Sequence, residues 1–100
     1  MTVRHVVMWK LAAEDAEVRA AQAAELVRRL EALVGVVPSI GSLSASVNTL
    51  FPEANFDVVL VSEFADEAAL EAYTVHPVHQ EVVAYVRSVV SARSAVDAVV

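Results

Sequence analysis

The chain is predicted to form an α+β sandwich, a four-stranded antiparallel sheet with helices on one face. The first observation behind this is the order of hydrophobic periods. Runs with a two-residue period and runs with helical spacing follow one another as β-α-β-β-α-β, the ferredoxin-like arrangement. The second is length: 100 residues suffice for one core and leave no room for another, so residues 1–100 are read as a single domain. The third is that the strands are apolar on both sides, which an isolated sheet of this kind cannot hide with its own helices.

The opening strand, Val3 to Leu11, sets Val3, His5, Val7, Trp9 and Leu11 on one side and Arg4, Val6, Met8 and Lys10 on the other. A helix is predicted from about Asp15 to Leu33, alanine-rich and free of Gly and Pro. Its apolar positions are Ala16, Ala20, Ala23, Val27, Leu30 and Val34, with Gly35 as the stop. Gly41 to Val47 alternates serine with apolar residues and reads as a strand with one polar face. Asn48 to Asn55, containing Pro52, is a loop. The third strand, Phe56 to Phe64, places Phe56, Val58, Leu60 and Phe64 opposite Asp57, Val59, Val61 and Glu63. Asp66 is suited to cap the next helix, on which Leu70 and Tyr73 share a face. Ala92 to Val100 is the last strand, with Val96, Ala98 and Val100 against Arg93, Ala95, Asp97 and Val99.

The second helix is expected to break and restart. His76 precedes Pro77, and a residue before proline avoids the α region, whereas proline itself is well placed as a first helical residue. His79 then lies in the first turn of the new helix. Val82, Val83, Val86 and Val90 follow it on a single stripe, so His79 heads the buried face. Burial and the positive end of a helix both disfavour the imidazolium. A neutral imidazole is able to take a proton as a general base; the plainer alternative is a core histidine bonded to backbone or to Tyr73.

Composition narrows the function classes. The core must be built from Val, Ala and Leu, because 57% of residues are hydrophobic but only 6% aromatic. Charged residues, at 20%, fall below the usual quarter, which again suggests hidden surface. No apolar run approaches the roughly 18 residues of a membrane span, and the N-terminus lacks the apolar stretch of a signal peptide, so a cytoplasmic location is expected. The absence of cysteine excludes disulfides, thiolate nucleophiles and thiolate metal sites. A net charge of −6 argues against nucleic acid, since Arg28-Arg29 is the only adjacent basic pair. With Val6 and Met8, or Val59 and Val61, left outside whichever face meets the helices, a twofold homodimer packed through its sheet faces is expected.

The opening Val3-Arg4-His5-Val6-Val7-Met8-Trp9-Lys10-Leu11, the strand Asp57-Val58-Val59-Leu60-Val61-Ser62-Glu63-Phe64 and the segment Leu70-Glu71-Ala72-Tyr73-Thr74-Val75-His76-Pro77-Val78-His79 together resemble the stress-responsive A/B barrel (Dabb) family of dimeric α/β barrels. The resemblance implies a homodimer with a pocket in each subunit between helices and sheet. It also implies a small apolar or carbonyl-containing ligand and no cofactor. Most members have no assigned reaction, but a plant branch cyclises linear polyketides by aldol condensation. In that branch a tyrosine and a histidine matching Tyr73 and His79 act, and a histidine matching His5 lines the pocket. On this resemblance the ligand would meet Val7, Trp9, Val58, Leu60 and Val83, with Ala20, Ala23 and Ala24 supplying the first helix's share. At Val58 such cyclases can carry a further polar group, and this chain departs from them.

If the site is catalytic, His79 would remove a proton beside a carbonyl, Tyr73 would hold the developing oxyanion, and His5 would orient substrate or relay a proton. Trp9 also fits a second class, a cofactorless or haem-handling monooxygenase, although a tryptophan in a valine core is usually packing. A metal held by His76, His79 and His5 is a further alternative. His76 is expected to cap its helix pointing away, and no carboxylate has ligand-like spacing, so no metal site is assigned. Asp57 or Glu63 at a dimer seam could hold a cation, against the simpler reading as solvent-facing or paired acids. The remaining class is a binding or structural protein without activity.

Overall fold

A computed structural model describes residues 1–100. The elements are β1 (Val3–Leu11), α1 (Ala16–Glu31), β2 (Ser42–Val47), β3 (Val58–Phe64), α2 (Glu67–Val75), α3 (Pro77–Val89) and β4 (Val90–Val99). The sheet is antiparallel in the order β2-β3-β1-β4, so the two most apolar strands are central. This is the ferredoxin-like fold the periodicity predicts, with its second helix in two pieces and all helices on one sheet face.

The helix-facing side carries Val7, Trp9, Leu60 and Phe64, which join Leu26 and Leu30 of α1 and Val82 and Val86 of α3 in one core. The α1 stripe is rotated from the expected one. Ala23, Leu26, Leu30 and, beyond the helix, Leu33 are buried, whereas Ala16, Ala20 and Val34 are exposed. Leucine removes more apolar area from water than alanine, so the helix turns its leucines inward. Opposite this stripe Glu25 bonds to Arg28 and to Arg29, and the Arg29 guanidinium lies 3.9 Å from the centre of the Tyr85 ring. The adjacent basic pair is thus occupied locally, part of it in joining α1 to α3.

Several boundaries differ from expectation for local reasons. Asp15 caps α1 by accepting from Glu17 and Val18. The helix ends at Glu31, and Gly35, at φ +84°, sits in the turns beyond it rather than at the cap itself. Gly41 tolerates no side chain, since a Cβ there would stand 2.8 Å from the Glu63 carbonyl oxygen. The strand expected from Phe56 enters the sheet at Val58. Before it, the Asp57 amide donates to the Trp9 carbonyl at 2.8 Å, and the Asp57 carboxylate accepts from the Leu11 amide at 2.8 Å. β4 starts at Val90 instead of Ala92. Val90 closes α3 through its own N–H to Val86 and is already extended, so helix and strand meet without a loop.

The far face of the sheet has no helix. Val61, Val6 and Val96 lie side by side across β3, β1 and β4, with Met8 beside Val59 in the next row. Met8 is 39%, Val61 38% and Val96 64% exposed. At one margin stand Ser44 and Ser46 of β2, and the Arg4 side chain donates to the Glu63 carboxylate at 2.7 and 2.9 Å. Glu63 is therefore a paired acid, as in the simpler of its two readings.

Replacing Leu26 by Ala is expected to remove about 2–5 kcal/mol of folding stability. Ala20→Gln, on the solvent side, is expected to change it by less than about 0.5 kcal/mol. Urea unfolding of both variants checks the rotated stripe.

Candidate functional site

The site begins with a backbone interruption. Asp66 caps α2 by accepting from the Ala69 amide at 2.8 Å, and α2 runs to Val75. His76 is extended, Pro77 opens α3, and the His76 Nδ1 accepts from the Val78 amide at 3.1 Å. Val78 would have been the regular helical donor to the Thr74 carbonyl. With that donor diverted, Thr74 accepts instead from two side chains of α3, His79 Nδ1 at 3.1 Å and Gln80 Nε2 at 2.6 Å.

This bond fixes the chemistry of His79. A carbonyl can only accept, so Nδ1 carries the proton and Nε2 of the neutral ring keeps its lone pair. Burial holds the His79 pKa below its ordinary 6.5. The Thr74 carbonyl opposes that shift, and the nearby His5 and His76 add to it.

Tyr73, in the last turn of α2, is 1% exposed and lies against three rings. Ring centres are 4.1 Å away for His79, 5.1 Å for Phe64 and 6.3 Å for His5. Burial raises its pKa to about 12, so the hydroxyl stays protonated and serves as a donor. That hydroxyl is buried without any hydrogen-bond partner in the protein. Leaving such a group unmatched is unfavourable by roughly 1–3 kcal/mol, which a ligand acceptor would relieve.

His5 reaches the same group from β1. It stands opposite Asp97 of β4, and its Nδ1 donates to the Asp97 carboxylate. Both histidines near Tyr73 therefore have Nδ1 tied to a fixed acceptor.

A cavity of about 570 Å³ lies between α3 and the sheet. His5, Tyr73 and His79 all line it, as do Val7, Trp9, Leu60 and Val83. Val58 does not. It is buried on the helix side but borders a smaller depression beside Val47 and Phe56, two residues along β3 from Leu60. From α1 only Leu30 reaches the cavity. Ala23 is in the core, and Ala20 and Ala24 face solvent because of the rotated stripe. His76 is engaged as a cap, and no three His, Asp or Glu side chains converge as a ligand set.

Sequence reasoning missed Asp97, Thr74, Gln80, Arg87 and Arg93. Strand parity placed Asp97 and Arg93 on one side of the last strand, but only the register with β1 shows that they stand opposite His5 and Trp9. The role of Thr74 is a backbone one and leaves no mark in side-chain spacing.

Solved structures share the fold. A dimeric ferredoxin-like protein of unknown function from Bacteroides fragilis superposes with a TM-score of 0.88 at 23% identity, over 97% of this chain and 94% of that one. The hydroxynitrile lyase of Passiflora edulis gives 0.81 at 14% identity, covering 99% and 93%. The cofactor-independent oxygenase SnoaB of Streptomyces nogalater gives 0.77 at 11%, covering 99% and 92%. At these identities the likeness is one of fold. No curated protein matches the chain by sequence. Residues 3–100 match the family described as Stress responsive A/B Barrel Domain, with the Tyr73-to-His79 segment and the opening strand inside the match. This chain belongs to that family.

Proposed function

We propose that this chain is a cytoplasmic homodimer that binds a small, largely apolar carbonyl compound in the cavity beside Tyr73 and His79. The observation that carries the reading is the Tyr73 hydroxyl, a protonated donor that is buried and unpartnered on a residue lining the cavity. Water-excluded donors of this kind favour a carbonyl oxygen, and more so an enolate oxygen. Valine, leucine and tryptophan side chains around it suit an apolar body, and the volume is that of an ordinary small-molecule site.

A second reading adds catalysis and is favoured by the neutral His79 ring packed against Tyr73. His79 Nε2 takes a proton from the carbon next to the carbonyl, and the electron pair of that C–H bond becomes an enolate held by the Tyr73 O–H. The enolate carbon then forms a bond to a second carbonyl of the same molecule. The resulting alkoxide recovers the proton from the His79 imidazolium. His5, oriented by Asp97, positions the substrate carbonyl beside Tyr73. This is an intramolecular aldol addition without cofactor. The hydroxynitrile lyase and the cofactor-independent oxygenase among the structural neighbours support the view that this fold can carry an active site.

The dimer reading rests on the bare far face. Its valines and Met8 form a continuous apolar surface that a second copy would cover, and solved neighbours are described as dimeric. Sedimentation is expected to give twice the 10.7 kDa chain mass, and Val61→Asp, which places a charge at the centre of that face, is expected to give a monomer. A monomeric wild-type chain at micromolar concentration would overturn the dimer.

The carbonyl reading is tested by titrating 2-decanone and following the fluorescence of the single tryptophan, Trp9, which lines the cavity. Tyr73→Phe is expected to weaken binding by about tenfold; equal affinity would remove the assigned donor. For catalysis, poly-β-keto thioesters are the assay, and His79→Ala is expected to lower any cyclisation by about a hundredfold or more. Unchanged product ratios would leave a binding protein.

The depressed His79 pKa also predicts a pH dependence. Below 6.5 the unfolded chain takes up a proton that the folded one resists, so stability is expected to fall as pH drops through that value. The same denaturation series on His79→Gln is expected to be flatter over that interval.

A further inference from the structure

The charges around the cavity are distributed against the composition of the chain. Thirteen residues are Asp or Glu and seven are Lys or Arg, yet no acid lines the cavity and two arginines do. The two are Arg87, in the last turn of α3, and Arg93, on β4 opposite Trp9. Every other basic side chain is engaged elsewhere. Arg4 pairs with Glu63, Lys10 lies 3.5 Å from Asp57, and Arg28 and Arg29 share Glu25. Arg19 donates to the carbonyls of Ala13 and Glu14. Arg87 and Arg93 alone have neither an ion pair nor a hydrogen bond to another residue.

Their position relative to Tyr73 and His79 is set by the two elements that carry them. Arg87 is eight residues beyond His79 on α3, a rise of about 12 Å. Arg93 pairs with Trp9 and Asp97 with His5, four residues apart along the strand, or about 13 Å. Both guanidiniums are therefore anchored at the opposite end of the cavity from the His5-Tyr73-His79 group, and both side chains are solvent-exposed. One end holds the buried Tyr73 donor between two histidines, the middle is lined by valine, leucine and tryptophan, and the other end is cationic. A place in the last helical turn would suit Arg87 even without a ligand, but it does not account for Arg93 on the strand.

We infer that the ligand is a bifunctional amphiphile, with an oxyanion head held between Arg87 and Arg93 and a carbonyl group at Tyr73, the two separated by an apolar chain. The inference rests on the carbonyl-binding reading above and adds the anionic end. Guanidinium forks match carboxylate and phosphate alike, so the head is either a terminal carboxylate or a phosphate. In a chain of net charge −6, this local pair of cations also draws an anion toward the cavity.

The test compares 9-oxodecanoate, its methyl ester, decanoate and decyl phosphate on the full-length protein, read by Trp9 fluorescence and by thermal shift. The free acid is expected to bind at least about tenfold more tightly than the ester. Arg87→Gln with Arg93→Gln should abolish that preference, and Arg28→Gln, remote from the cavity, should leave it intact. Decyl phosphate binding more tightly than decanoate would identify a phosphate head, and the reverse a carboxylate. An ester that binds as well as the acid would overturn the anionic end while leaving the carbonyl site standing. If neither 9-oxodecanoate nor its methyl ester binds, both readings fall together.

Discussion

The site depends on one missing hydrogen-bond donor. Pro77 forces the chain to leave the helix at His76 and re-enter it, and His76 then caps the Val78 amide that would have served Thr74. The Thr74 carbonyl, left without its helical donor, is taken up by His79 and Gln80 of α3. From that single exchange follow the protonated nitrogen of His79, the free lone pair of its other nitrogen and the ring's seat against Tyr73. A continuous helix would satisfy Thr74 through its own backbone and leave the imidazole unoriented.

The same end of the molecule shows how a β-ladder can do comparable work. His5 and Asp97 are 92 residues apart in sequence and directly opposite in the sheet, so pairing β1 with β4 also pairs the imidazole with its acceptor. Two unrelated backbone devices, a broken helix and an antiparallel register, thereby orient two histidines toward one tyrosine. The hydrophobic effect brings these elements together, and hydrogen bonding determines which atoms are left available for a ligand.

Much of this was legible from residue spacing. The order of elements, the break at Pro77, the caps at Asp66 and His76, and the stripe from His79 to Val90 follow from local rules that need no tertiary information. The errors came where two local patterns competed or where register decided. In α1 an alanine stripe and a leucine stripe overlap, and spacing alone does not choose between them; buried area does. Val58 shares the parity of Leu60 yet borders a different depression, because parity fixes the face and not the position along it. Arg93 and Asp97 fell on one side of a strand whose neighbour's register could not be known in advance. Arg87 sat on a helix where a single arginine reads as ordinary solvent-facing charge.

The seamless passage from α3 into β4 has a mechanical consequence. Val90 belongs to both, finishing the last turn and holding the first rung beside Leu11. No slack exists between them, so any roll of α3 would be transmitted as a pull on the outermost ladder, against hydrogen bonds already made. That wall of the chamber is consequently stiff, and α2, clamped to α3 across His76 through the Thr74 carbonyl, is carried along with it.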